Sequence, residues 1–119
     1  MVELLTKDTF IERIFDFKKE TDWKFKGKKP VIIDFYVEWC SPCKMISHVI
    51  DEISNEYRDV IDIYKVNTES QRELSAMFDV RNIPTILFIP LEGHPRVAKG
   101  VIPKEGFEQV ISDIFDIKR

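Results

Sequence analysis

The sequence predicts an α/β fold in a single domain, residues 1–119, with a central mixed β-sheet of about five strands and helices on both faces. Three observations carry this. Short runs rich in β-branched and aromatic residues alternate with stretches whose apolar residues recur every three or four positions, giving the order βαβαβαββα. The last two strand-like runs are separated only by Leu91–Pro95, a turn so short that they pair antiparallel, while strands separated by a helix run parallel. A chain of 119 residues is also the usual size of one domain, able to bury roughly two-thirds of its unfolded surface.

Taken in order, Val2–Leu5 reads as a short edge strand. Thr6 or Asp8 then caps a helix running to about Lys18, with Phe10, Ile11, Ile14 and Phe15 on one side. From Lys19 to Pro30 the chain turns basic and polar around Trp23 and Phe25, which reads as a solvated connector or as a patch for docking a partner. Val31–Val37 is an apolar run interrupted only by Asp34, the pattern of a strand buried on both faces. After it, Met45, Ile46, Val49, Ile50, Ile53 and Tyr57 form the stripe of an amphipathic helix. Ile61, Ile63 and Lys65–Asn67 supply a strand, and Ser70 caps a short helix holding Leu74, Met77 and Phe78. Pro84 opens and Pro90 closes the strand Thr85–Ile89, and Val97–Lys99 follows the turn. Pro103 begins a last helix with Phe107, Val110, Ile111, Ile114 and Phe115 toward the sheet.

Composition narrows the function. The apolar fraction of 44%, the charged fraction of 33% and a net charge of −3 describe a globular protein with no reason to bind a polyanion, so nucleic acid is not an expected partner. The longest uncharged apolar run, Asn82–Leu91, is too short to span a bilayer and contains two prolines, so no membrane association is expected. Met1–Phe10 carries Glu3, Lys7 and Asp8, which leaves no room for a secretory apolar segment. A cytoplasmic location is expected, the alternative being a periplasmic mature form whose export signal has been removed.

The chain's only two cysteines, Cys40 and Cys43, stand two residues apart where the buried strand gives way to the amphipathic helix. Such a lone close pair reads as a dithiol/disulfide redox site. Cys40 lies at the helix N-terminus, where unpaired N–H groups and the helix dipole favour its thiolate, on the exposed side of the turn. It is therefore the expected nucleophile, and Cys43, on the first turn, can close a small ring with it. Pro42 suits the start of a helix. Two other readings of the pair are a zinc half-site and two inert thiols. Zinc would need two more ligands, and of the two histidines, His48 and His94, the first lies five residues past Cys43, roughly 140° around the helix. Asp34 is a carboxylate in an apolar strand, costly unless neutralised or used, and its pKa should be raised by burial.

The run Trp39-Cys40-Ser41-Pro42-Cys43-Lys44, with Asp34 and Phe35 before it, Lys65 on the following strand, Ile83-Pro84-Thr85 opening a later one and Gly93 and Gly100 in the final hairpin, closely resembles the thioredoxin family. A lowered cysteine pKa is a standard example in that family. The resemblance implies the thioredoxin fold and a protein-disulfide reductase that works through a mixed disulfide. It implies that Asp34 is the buried proton acceptor for Cys43, through water, with Lys65 moderating its charge. It implies a cis bond at Ile83–Pro84, leaving the Ile83 backbone to pair with an extended substrate. Trp39, Ile83, Val101 and the Gly100 backbone would then form an apolar lip around Cys40.

No bound cofactor is expected. Electrons would come from NADPH through a separate, flavin-dependent thioredoxin reductase, the other partners being disulfide-containing proteins and the working form a monomer. A disulfide oxidase or isomerase on the same fold is the enzymatic alternative, and a non-catalytic adaptor a third reading. Three residues depart from the family pattern: Ser41 stands for the usual glycine, Tyr36 for a common second tryptophan, and His48 for a proline that kinks the active-site helix.

Overall fold

The computed structural model describes residues 2–118. The chain runs β1 (Glu3–Leu4), α1 (Lys7–Arg13), β2 (Val31–Tyr36), α2 (Ser41–Glu56), β3 (Asp62–Asn67), α3 (Arg72–Met77), β4 (Thr85–Ile89), β5 (Arg96–Lys99) and α4 (Lys104–Phe115). The strands form one sheet in the order β1-β3-β2-β4-β5. β3 is parallel to both β1 and β2, while β4 is antiparallel to β2 and to β5, so the sheet is mixed as the element order predicts.

β2 occupies the centre because both of its faces are apolar, and side chains alternate across a strand. Ile32 packs with Ile86 and Phe88 of β4 under α2 and α4, joining Ile46, Ile50, Ile53, Phe107 and Ile111. Val31, Ile33 and Phe35 point the other way, joining Leu87 and Ile89 with Phe10, Ile14 and Leu74 of the α1 and α3 side. Each such side chain contributes about 1.5–3 kcal/mol on burial, so the two layers hold the sheet from both faces. Asp34 falls on the Ile32 face, and that alternation turns it toward α2.

Four local expectations are corrected. α1 ends at Arg13 with Ile14 as its C-cap, rather than at Lys18. The Asp16 side chain accepts the Lys18 N–H, an alternative to helix continuation, and Lys26 N–H returns to the Ile14 carbonyl. The connector is thus partly structural, with Trp23 and Phe25 packed on the α1-side core. Met45 is 62% exposed. It lies about a third of a turn from the centre of the stripe made by Cys43, Ile46, Ile50 and Ile53. α3 has Gln71 rather than Ser70 at its N-cap position, with no side-chain cap: the Gln71 side chain accepts the Lys7 N–H instead, and Ser70 belongs to a turn in which the Asn67 side chain accepts the N–H groups of Glu69 and Ser70. At α1 the cap is Thr6, not Asp8, in a reciprocal box with Thr9. With His48 exposed on it, α2 runs unbroken from Ser41 to Glu56.

Candidate active site

Cys40 is the N-cap of α2, and its sulfur accepts the N–H of Cys43 at 3.1 Å. A sulfur here does what Ser, Thr or Asp does at other helix starts, and an anionic sulfur is the stronger acceptor. Ser41 and Pro42 fill the first helical positions, where a missing N–H removes no helical hydrogen bond. Cys40 and Cys43 are joined in a disulfide, the oxidised state of the pair. In this state Cys40 is 6% exposed and Cys43 4%, so the expected exposure of Cys40 is not found in the oxidised form. Val37 clusters with the pair, and Tyr36 and Ile83 pack against it.

Asp34 is 0% exposed, and neither of its carboxylate oxygens has a hydrogen-bond partner among the described residues. Burial pushes its pKa up to about 7, opposed by the charge of Lys65 and reinforced by that of Asp51. Lys65 is its register partner across β2 and β3. The ammonium is not spent on that carboxylate: Nζ donates to Ser47 Oγ at 2.9 Å and lies 5.2 Å from the centre of the Tyr36 ring. Asp34, Cys43, Ser47 and Lys65 all line one cavity of about 90 Å³, together with Tyr36, Val37, Glu38 and Lys44. That is room for water between polar groups.

Ile83–Pro84 is a cis peptide bond immediately before β4, as the resemblance implies. The Pro84 carbonyl accepts the N–H of Gly100, which joins the end of β5 to this segment. Gly100 has φ +86°, a conformation that side chains rarely adopt. Val101 is exposed beside it. Trp39 is 72% exposed, so it is not a core aromatic, and its indole N–H donates to Glu69 at 3.3 Å. Of the expected lip, the structure brings Ile83 onto the cysteines and Gly100 to Pro84.

The thioredoxin family model matches residues 2–113. The chain belongs to the thioredoxin family. It is 43% identical over 111 residues to the thioredoxin of Borreliella burgdorferi, covering 93% of this chain and 95% of that protein. It is 33% identical over 107 residues to thioredoxin 1 of Nostoc sp., covering 90% and 91%. A crystal structure of chloroplastic thioredoxin z superposes with a TM-score of 0.80 at 19% identity, covering 98% of this chain and 96% of that one, and so shares the fold. The chain is accordingly a thiol-disulfide oxidoreductase, a protein-disulfide reductase acting through its cysteine pair. The family needs no bound cofactor, and among the described residues no group of three or more His, Cys, Asp or Glu could hold a metal ion. No helix among them is long and apolar enough to cross a membrane.

Among the site's neighbours that the sequence did not single out are Glu69 and Ser47. Glu69, the partner of Trp39, sits in a turn after β3, and no local pattern couples it to position 39. Ser47 had a legible signal: it lies four residues after Cys43, one turn along the same helix face.

Proposed function

We propose that Cys40 is the nucleophile, Cys43 the resolving thiol and Asp34 the proton acceptor that activates Cys43. The observation carrying this is the cavity shared by Asp34 and Cys43, with Asp34 buried and unpartnered. The Cys40 thiolate, favoured by the Cys43 N–H at the start of α2, attacks a substrate disulfide. The substrate S–S bond breaks, a Cys40–substrate disulfide forms, and the departing sulfur leaves as a thiolate that takes a proton. Asp34 then accepts the Cys43 thiol proton through water in the cavity. With a pKa near neutrality it exists in both forms at working pH, which suits a group that takes and returns a proton. The Cys43 thiolate attacks Cys40 Sγ, closing the Cys40–Cys43 disulfide and releasing the second substrate thiolate. Two electrons have passed to the substrate.

Trp39, Ile83, Pro84, Gly100 and Val101 are the proposed substrate surface, with the Ile83 backbone pairing to an extended segment. The exposure of Trp39 and Val101 and the packing of Ile83 on the cysteines support it. Lys65 moderates the charge of Asp34. A separate thioredoxin reductase, drawing on NADPH, is the proposed source of electrons. We place the protein in the cytoplasm as a monomer of one domain, a reducing compartment being what a reductase requires.

The test is insulin reduction with dithiothreitol as donor, expected of the wild type and lost in Cys40→Ser. Equilibration in glutathione buffers should give a potential near the roughly −270 mV typical of the family, not the roughly −120 mV of a dedicated oxidant. A value at the oxidising end would reassign the protein as an oxidase.

A further inference from the structure

We propose that Ser47 is a positioning residue that holds the Lys65 ammonium away from Asp34, and so keeps the Asp34 carboxyl able to carry a proton at neutral pH. This rests on the reading of Asp34 as the proton acceptor. The geometry is a competition for one cation. Lys65 stands beside Asp34 in the β2–β3 register, the place from which a direct ion pair would form. Its Nζ donates instead to Ser47 Oγ at 2.9 Å, with the Tyr36 ring 5.2 Å away, while both Asp34 oxygens have no hydrogen-bond partner among the described residues. All four side chains line the same cavity, so the ammonium and the carboxylate face one shared space.

A direct Asp34–Lys65 pair would favour the ionised carboxylate, since an opposite charge within about 4–6 Å lowers a carboxyl pKa by about 1–3 units. A permanently ionised Asp34 would be a weaker base, and a poor acid when the proton must go back to Cys43. The Ser47 hydroxyl, a neutral acceptor on α2, satisfies the ammonium without neutralising the acid. The other groups around Asp34 do not take over this role. Asp51 on α2 adds negative charge, which opposes ionisation of Asp34. Glu38 and Lys44, which also line the cavity, are both exposed to solvent, and Cys43 is neutral in the disulfide. From β4, the residue paired with Asp34 is Ile86, which carries no charge.

The test is the Asp34 titration, followed by the carboxyl carbon resonance in ¹³C-aspartate-labelled protein and assigned with Asp34→Asn. The oxidised form is used, so that no cysteine titrates. In Ser47→Ala, a substitution that suits a helix, Lys65 turns to Asp34 and the midpoint falls by about one unit. Ser47→Thr keeps a hydroxyl and retains the wild-type midpoint. The pH profile of insulin reduction moves down with the midpoint in Ser47→Ala and stays in place in Ser47→Thr. An unmoved or raised midpoint in Ser47→Ala, or an equal fall in Ser47→Thr, overturns the positioning role. A fallen midpoint with an unmoved pH profile would uphold the positioning of Lys65 and remove Asp34 from the mechanism instead.

Discussion

Asp34 and Lys65 are paired in register across the two central parallel strands, yet the lysine donates to Ser47 and the carboxylate accepts no hydrogen bond from the described residues. The penalty for burying Asp34 therefore falls on its charged form.

Because burial pushes that pKa from 3.8 up to about 7, the folded protein holds a proton that the unfolded chain releases between those values. Stability is then greatest below the lower value, falls as pH rises through the window, and levels off above the upper one. Asp34→Asn keeps the shape and removes the ionisable group, so it should be the more stable protein at alkaline pH. The advantage should grow by about 2–3 kcal/mol between pH 5 and pH 8. Urea titrations of both proteins at the two pH values measure it. Parallel pH dependence would mean that the Asp34 carboxyl is solvated.

Lys65 is the charge that opposes burial at Asp34. Lys65→Met keeps the length of the side chain and deletes that charge, so the Asp34 midpoint should rise, by about one unit. The carboxyl carbon titration reads the change directly. A fall would show that the ammonium does not act on this carboxylate.

Stability should depend far more on the α2 and α4 side of the sheet than on the exposed rim of the site. Phe88 is buried against Phe107 and Phe115, with ring centroids 5.9 and 6.2 Å apart. Phe88→Ala should cost about 3–5 kcal/mol through lost burial and the cavity left behind. Trp39→Ala, at an exposed side chain, should change stability by about 0.5 kcal/mol or less while weakening protein substrates. Urea unfolding and insulin KM separate the two effects.

The parts legible in the sequence are those written in long periodic runs. β2 is continuous apolar chain, and α2 and α4 carry their stripes over three or more turns, so sheet centre, helix faces and the cysteines' place at a helix start could all be read. Asp34 stood out because a carboxylate breaks such a run. Boundaries set by a single side chain were not legible. Asp16 takes the Lys18 N–H that a longer α1 would have used, and Asn67 holds Glu69 and Ser70 in a turn ahead of α3, which starts one residue later than expected. The Ser47–Lys65 contact joins residues 18 apart on a helix and a strand. Only the packing of α2 over the sheet determines which acceptor Lys65 reaches.

The central claim is the division of labour between the two cysteines, and trapping the mixed disulfide tests it most directly. Reduced Cys43→Ser and Cys40→Ser proteins are each offered a disulfide-containing protein such as insulin, quenched with acid, and analysed by mass spectrometry. Cys43→Ser should accumulate a covalent adduct through Cys40, since the attacking thiol is intact and the resolving one is gone. Cys40→Ser should give little adduct, its remaining thiol being the one on the inner side of the first turn beside Asp34. Adduct formation that is faster or more complete through Cys43 would contradict the account.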